Sequence, residues 1–446
     1  HADRLIEIFN VCWPMYAAMP AVLKEAVLNS YEDCGWDLIK SKNKYSEEIF
    51  PTFSDLIWEL ETVIEASSYS EEVKSNYKGS LVTRVKSLAN GINGEIFSGK
   101  EIGDDILFDE NVIVDLSRIG SQETKALIMG VLIMRLNEYR ANSRIEANSE
   151  LRHVTILEEA HNILKRCSQE QSMEGSNVAG KSVEMISNAI AEMRTYGEGF
   201  IIVDQSPGAV DISAIRNTNT KIIMRLPEDS DRKISGKSAA MKDNQIDEIA
   251  KLPTGVAVVY QNDWEEPVLC HINMYKGERL KYVFMEDVEE PTNEQPVIRE
   301  ILRFMMKEKI EQPQLDVKES ISKIKNGISS TNLPTYVKLN IFAAIQEFEE
   351  TGTASIWKNK EYEKFSWVIS GIFGTKQEIL KLTKQVRDFD ELTDGLKKII
   401  NGKVESIPSE LELSLCQSLM RDYSIGDENR LKIYNAWLQK TKKKLM

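Results

Sequence analysis

Four short β-branched runs constrain this chain most: Asn111-Val-Ile-Val, Val154-Thr-Ile-Leu, Phe200-Ile-Ile-Val and Lys221-Ile-Ile-Met. They are apolar without alternation, and segments of helical period stand before the second and third. Strands that are apolar on both sides and alternate with helices predict an α/β fold, a mostly parallel sheet covered on both faces. Three of the runs end in acids or amides: Asp115, Glu158-Glu159 and Asp204-Gln205. In an open parallel sheet, chemistry collects at the carboxyl ends of the strands.

An apolar strand running into two acids suits a nucleotide hydrolase, with one acid near a magnesium shell and the next orienting or deprotonating water. The order assigns Glu158 to the magnesium side and Glu159 to the water. The competing structural reading is that both acids open the next helix, where they favour its N-terminal dipole. Gln205, at the tip of the following strand, is placed to sense a γ-phosphate or hold the water; an amide capping the next turn is the plain alternative. His161, one turn beyond the acids, reads more simply as a packed or hydrogen-bonded residue than as a ligand. Arg194, near the end of the helix entering the third strand, supplies a cation for phosphoryl transfer or ordinary dipole complementation.

The rest of the chain sets limits. With 56 Lys and Arg against 70 Asp and Glu the formal charge is −14, so any DNA contact must be a local patch or channel. Five scattered cysteines without a CxxC pair point to a reducing, cytoplasmic setting. No apolar stretch is long enough to span a bilayer, and no membrane partner is expected. Residues 1–105 read as helical, with Pro20-Ala-Val-Leu, Phe53 to Ala66 and a start at Ser70; residues 106–275 read as the sheet core, closed by a hairpin at Gly255-Val-Ala-Val-Val-Tyr and Val268-Leu-Cys-His-Ile. After an acidic stretch from Glu286 to Pro296, residues 276–446 read as a helical C-terminal module, with Ile301, Leu302, Met305 and Met306 on one amphipathic face and Tyr434 and Trp437 on another.

Gly175-Ser-Asn-Val-Ala-Gly180-Lys181-Ser182 satisfies the pattern of a phosphate-binding loop. The context argues against that role. A phosphate loop leaves a buried strand so that its amides converge on the phosphates, whereas this segment follows Ser168-Gln-Glu-Gln-Ser-Met-Glu.

Taken together, Val154-Thr-Ile-Leu-Glu-Glu-Ala-His-Asn, Ile190-Ala-Glu-Met-Arg-Thr-Tyr-Gly, Phe200-Ile-Ile-Val-Asp-Gln-Ser-Pro and Asn217-Thr-Asn-Thr-Lys-Ile-Ile-Met-Arg-Leu resemble the HerA branch of the HerA/FtsK P-loop ATPases over roughly residues 1–275. The resemblance implies a RecA-like P-loop core, a homohexameric ring, ATP with Mg²⁺ as cofactors, and translocation on double-stranded DNA. It makes Glu158 and Glu159 the Walker B acids, Gln205 the polar sensor, and Arg194 a finger into a neighbouring subunit's nucleotide. The loop of residues 165–182, with Lys165, Arg166 and Lys181 at its ends, is then a candidate DNA contact in the channel.

The family's phosphate loop and N-terminal β-barrel have no counterpart here, which fits a truncated chain whose 446 residues alone are inactive. Asp204 stands where a hydroxyl residue is commoner. HerA-like ATPases of anti-phage defence systems pair with an effector nuclease or a sirtuin-type NADase, which the resemblance adds as possible partners. Two other readings compete. One is a DEAH-box helicase, which requires a second RecA-like domain that the helical region after 276 does not supply. The other is an ATP-binding ring scaffold that organises an effector with little translocation.

Overall fold

The computed structural model describes all residues except 98–100, 143–148, 168–177, 278–293, 313–314, 332, 375, 405–406, 408 and 446. The chain forms two compact units, one of residues 1–25 and 102–284, the other of residues 26–101 and 285–446. This partition differs from the sequence expectation of 1–105, 106–275 and 276–446, because residues 26–101 join the C-terminal helices.

In the first unit β1 (His153–Glu158) and β2 (Glu198–Val203) pair in parallel, with Thr155 opposite Phe200 and Glu158 opposite Val203. Helices Ala2–Cys12, Gln122–Asn142 and Val178–Met193 pack together, and Phe9, Leu127, Leu136 and Met193 on them are buried. Gly130 permits their approach: a Cβ there would lie 2.6 Å from Ile8 Cγ2. The parallel pair is entered through Gly197, whose φ of +80° turns the chain from the 3₁₀ turn Arg194–Tyr196 into β2. Leu157 and Glu198 on one side of this pair are buried, whereas on the other Ile156 is 59% and Ile201 50% exposed.

The remaining strands correct the expected mostly parallel sheet. β3 (Thr220–Ile223), β4 (Val256–Gln261) and β5 (Val268–His271) form a separate sheet in which both pairings are antiparallel. The predicted closing hairpin is β4 and β5. The fourth predicted strand is β3, which lines up against the outgoing arm of that hairpin rather than beside β2. Among the described residues no strand joins the two sheets. Asn111 to Val114, expected as the first strand, likewise forms no ladder, and Ile113 is 88% exposed. β-branched residues make a strand only where a partner edge is available.

Among its described residues the second unit forms helices and one two-residue ladder, Trp36–Asp37 with Lys42–Asn43. Helix Phe53–Ala66 begins at a capping box in which the Thr52 and Asp55 side chains bond each other's backbone amides, and Ser70 caps helix Glu71–Tyr77. The predicted apolar face of residues 301–306 lies on helix Gln295–Met305 and the residue after it, with Ile301, Leu302, Met305 and Met306 fully buried. Tyr434 and Trp437 of helix Glu428–Leu445 are buried as their spacing predicts, and Trp437 Nε1 donates to Thr393 Oγ1 at 3.0 Å. Ile49 belongs to the same core, and Tyr45 stacks on Phe342, which accounts for the grouping of residues 26–101 with this unit. Part of the acidic stretch before this unit lies outside the described residues.

Candidate functional site at the strand ends

Parallel pairing puts the ends of β1 and β2 side by side, and with them the residues that follow. Glu158 is the last residue of β1 and is exposed. Glu159 leaves the strand at φ 50°, ψ 47°, the left-handed region, and is followed by the 3₁₀ turn Ala160–Asn162. The acids therefore do not open an α-helix. A left-handed non-glycine residue costs on the order of 1–2 kcal/mol. Its neighbours hold it there: Asn162 donates to the Glu159 carbonyl from its backbone N–H at 3.0 Å and from Nδ2 at 2.9 Å. Ala160, Ile163 and Leu164 are fully buried and anchor the turn.

Across from this turn, Gln205 Nε2 donates to Glu159 Oε1 at 3.1 Å. The preceding residue makes a second link: Asp204 Oδ2 accepts the backbone N–H of His161 at 2.9 Å and lies 2.9 Å from His161 Nδ1. With Asp204 ionised, Nδ1 is the protonated ring nitrogen. Asp204 Oδ1 accepts the Ser206 N–H at 2.9 Å, so both carboxylate oxygens are engaged. The Asp204 side chain is 5% exposed, that of Glu159 50%. A half-exposed carboxylate thus faces solvent from a turn that a buried carboxylate fixes.

Glu159, His161 and Asp204 each offer one ligand atom within 4.8 Å of the others, a spacing compatible with a divalent cation. While Nδ1 donates to Asp204 the ring can ligate only through Nε2, and a hard cation such as Mg²⁺ favours the carboxylate oxygens of the cluster.

The structure separates the other expected residues from this cluster. Arg194 is exposed in the 3₁₀ turn before β2, at the entering end of the pair, whereas Glu159 and Gln205 follow its leaving end. A six-residue strand spans roughly 20 Å, so within one chain Arg194 does not join the acids. Lys165 and Arg166 are exposed and held to the following segment, Lys165 by a bridge to Val210 and Arg166 by its N–H to the Ala209 carbonyl at 2.8 Å. Residues 168–177 of the expected loop lie outside the described residues. Lys181 is not on a loop at all: helix Val178–Met193 begins before it and includes Gly180, Lys181 and Ser182. Ser182 is buried and its Oγ donates to Glu7. The described part of the phosphate-loop pattern, residues 178–182, therefore lies in a helix.

His161 and Asp204 are the members of this cluster that the sequence reading does not single out. Their signal was positional, a histidine two residues beyond the acid and an aspartate beside the sensor amide.

Against known proteins, no family model matches. The DNA double-strand break repair helicase HerA of Sulfurisphaera tokodaii is 24% identical over 242 residues, covering 54% of this chain and 46% of the relative. HerA of Sulfolobus acidocaldarius is 25% identical over 259 residues, 57% and 48% of the two chains. The chain is similar to the HerA-type ATPases of the HerA/FtsK superfamily. It spans about half the length of these HerA relatives. Among solved structures, VirB4 of Thermoanaerobacter pseudethanolicus is similar over 62% of this chain and 69% of its own, with a TM-score of 0.45 and 14% identity. Among the described residues of this HerA-like chain, no helix is long and apolar enough to cross a membrane.

Proposed function

We propose that the protein works as part of an ATP-hydrolysing, DNA-translocating motor of the HerA type, with the ends of β1 and β2 as its hydrolytic side. The observation that carries this reading is the link from Gln205 to Glu159 across adjacent parallel strand ends. It holds a solvent-facing carboxylate beside a second acid, Glu158, as activation of water next to a nucleotide requires. Glu158 would hold the Mg²⁺ that accompanies ATP, Glu159 would take the proton of the attacking water, and Gln205 would orient Glu159. Mg²⁺ supplies neutralisation of the charge that develops on the transferred phosphoryl group.

Arg194, remote from the acids of its own chain, acts on a neighbour's nucleotide in a homohexamer. The curated relatives are named as DNA repair helicases, which supports double-stranded DNA as the track over a purely scaffolding ring. Lys165 and Arg166 contact its phosphates. An effector nuclease or NADase partner belongs to the same reading as a further possibility of the family.

The test is ATP turnover by the full-length protein with and without double-stranded DNA. The motor reading expects DNA to stimulate turnover, and expects Lys165→Ala with Arg166→Ala to weaken DNA binding and flatten its salt dependence by roughly one unit of slope per lost contact. Turnover indifferent to DNA would favour the ring scaffold.

A further inference from the structure

We propose that Asp204 and His161 are positioning residues for Glu159: a clasp through which the end of β2 sets the placement of the acid at the end of β1. The inference rests on the hydrolytic reading of Glu159 and adds residues to it. Successive residues on β2's outgoing end reach across to the turn, Gln205 to the Glu159 carboxylate and Asp204 to His161. His161 is in turn next to the acid, its Nδ1 lying 3.6 Å from Glu159 Oε2. Each oxygen of Glu159 therefore has a neighbour whose position is set from β2: Oε1 has Gln205 directly, and Oε2 has the imidazole through Asp204.

The arrangement suits positioning better than simple stability. A carboxylate accepting a backbone N–H and a ring N–H makes charge-assisted bonds, stronger and more directional than neutral ones. The backbone bond from His161 is two residues past Glu159, so it fixes the peptide path that keeps Glu159 left-handed. A burial that leaves Asp204 almost no solvent removes its alternatives. An alanine in its place would offer no acceptor to the turn or to the imidazole.

Steady-state ATP kinetics of the full-length protein decide the matter, with melting temperature measured alongside. Asp204→Ala is expected to lower kcat by about tenfold or more while KM for ATP stays within about twofold. Asp204→Asn keeps an acceptor for the His161 N–H and should regain part of the loss. Should Asp204→Ala fail to fold, His161→Ala keeps the backbone bond and removes the ring alone, and it should show the same split with a smaller fall in kcat. Glu159→Gln serves as control. Parental kcat in His161→Ala and Asp204→Asn beside an inactive Glu159→Gln overturns the clasp and leaves the hydrolytic reading standing. Losses that follow falling melting temperature, with KM moving in step, also overturn it. Parental turnover in Glu159→Gln overturns the hydrolytic reading and the clasp with it.

Discussion

Gln205 donates its side-chain N–H to Glu159 Oε1 at 3.1 Å, joining the residues that follow two neighbouring parallel strands. Because Gln205 is exposed, truncating it removes this bond with little cost in packing. Gln205→Ala should lower ATP turnover by about 10–100-fold, and Gln205→Glu, which sets a like charge against Glu159, should lower it at least as far. ATPase rates at saturating nucleotide, with folding checked by circular dichroism, are the measurement. Parental rates in both variants would detach Gln205 from the chemistry.

At the opposite end of the strands lies a buried ion pair. Arg140 Nε donates to Glu198 Oε2 at 3.0 Å, while His153 and Thr155 engage Glu198 Oε1, each at 2.7 Å. Arg140 also donates to Asp109 at 2.7 Å, and with the Tyr139 hydroxyl it holds that carboxyl below its usual range. Arg140→Met leaves Glu198 buried without its cation and should cost about 3–5 kcal/mol of unfolding free energy. Adding Glu198→Gln should recover part of that loss. Urea unfolding of the two variants gives the comparison; equal destabilisation would mean the pair is not coupled.

Glu59 makes stability depend on pH. Burial first, then the neighbouring Asp33 carboxylate, pushes it from its ordinary 4.5 up to about 7. A carboxyl that binds its proton more tightly when folded stabilises the fold below its unfolded value, and this contribution fades as pH rises from about 4.5 through 7. Glu59→Gln keeps the shape without the charge. Its melting temperature relative to the parent should therefore rise between pH 5 and pH 8, and parallel curves for the two proteins would refute the assignment.

Lys181 tests whether a motif match outweighs its context. Exposed on helix Val178–Met193 and not following a strand, it is not expected to hold phosphate. Lys181→Ala should leave nucleotide affinity of the full-length protein unchanged and alter stability by no more than about 0.5 kcal/mol. A tenfold or larger loss of ATP affinity would restore the loop reading.

Local signals were legible where one segment determines its own structure. Thr52 with Asp55, and Ser70, mark helix starts because the capping partners are close in sequence, and the closing hairpin is read from its two runs and polar turn. Asn111 to Val114 has the same β-branched character yet forms no ladder, since pairing depends on an edge supplied by another segment. Likewise, amphipathic faces in residues 26–101 announce burial without naming the partner, and the segment groups with the C-terminal helices rather than with residues 102–284. The place of Glu158, Glu159 and Gln205 at the strand ends is legible in the sequence. The left-handed turn at Glu159 and the bonds from Asp204 to His161 join residues 43 positions apart, and only the register of β1 against β2 brings them together.

The most direct test of the account is to separate nucleotide binding from hydrolysis in Glu159→Gln of the full-length protein. The substitution preserves size and hydrogen bonding but removes the base, so ATP affinity measured by calorimetry should stay near the parental value while turnover falls by about 100-fold or more. Hydrolysis at the parental rate would contradict the assignment of Glu159, and with it the reading of these strand ends as the hydrolytic side of a motor.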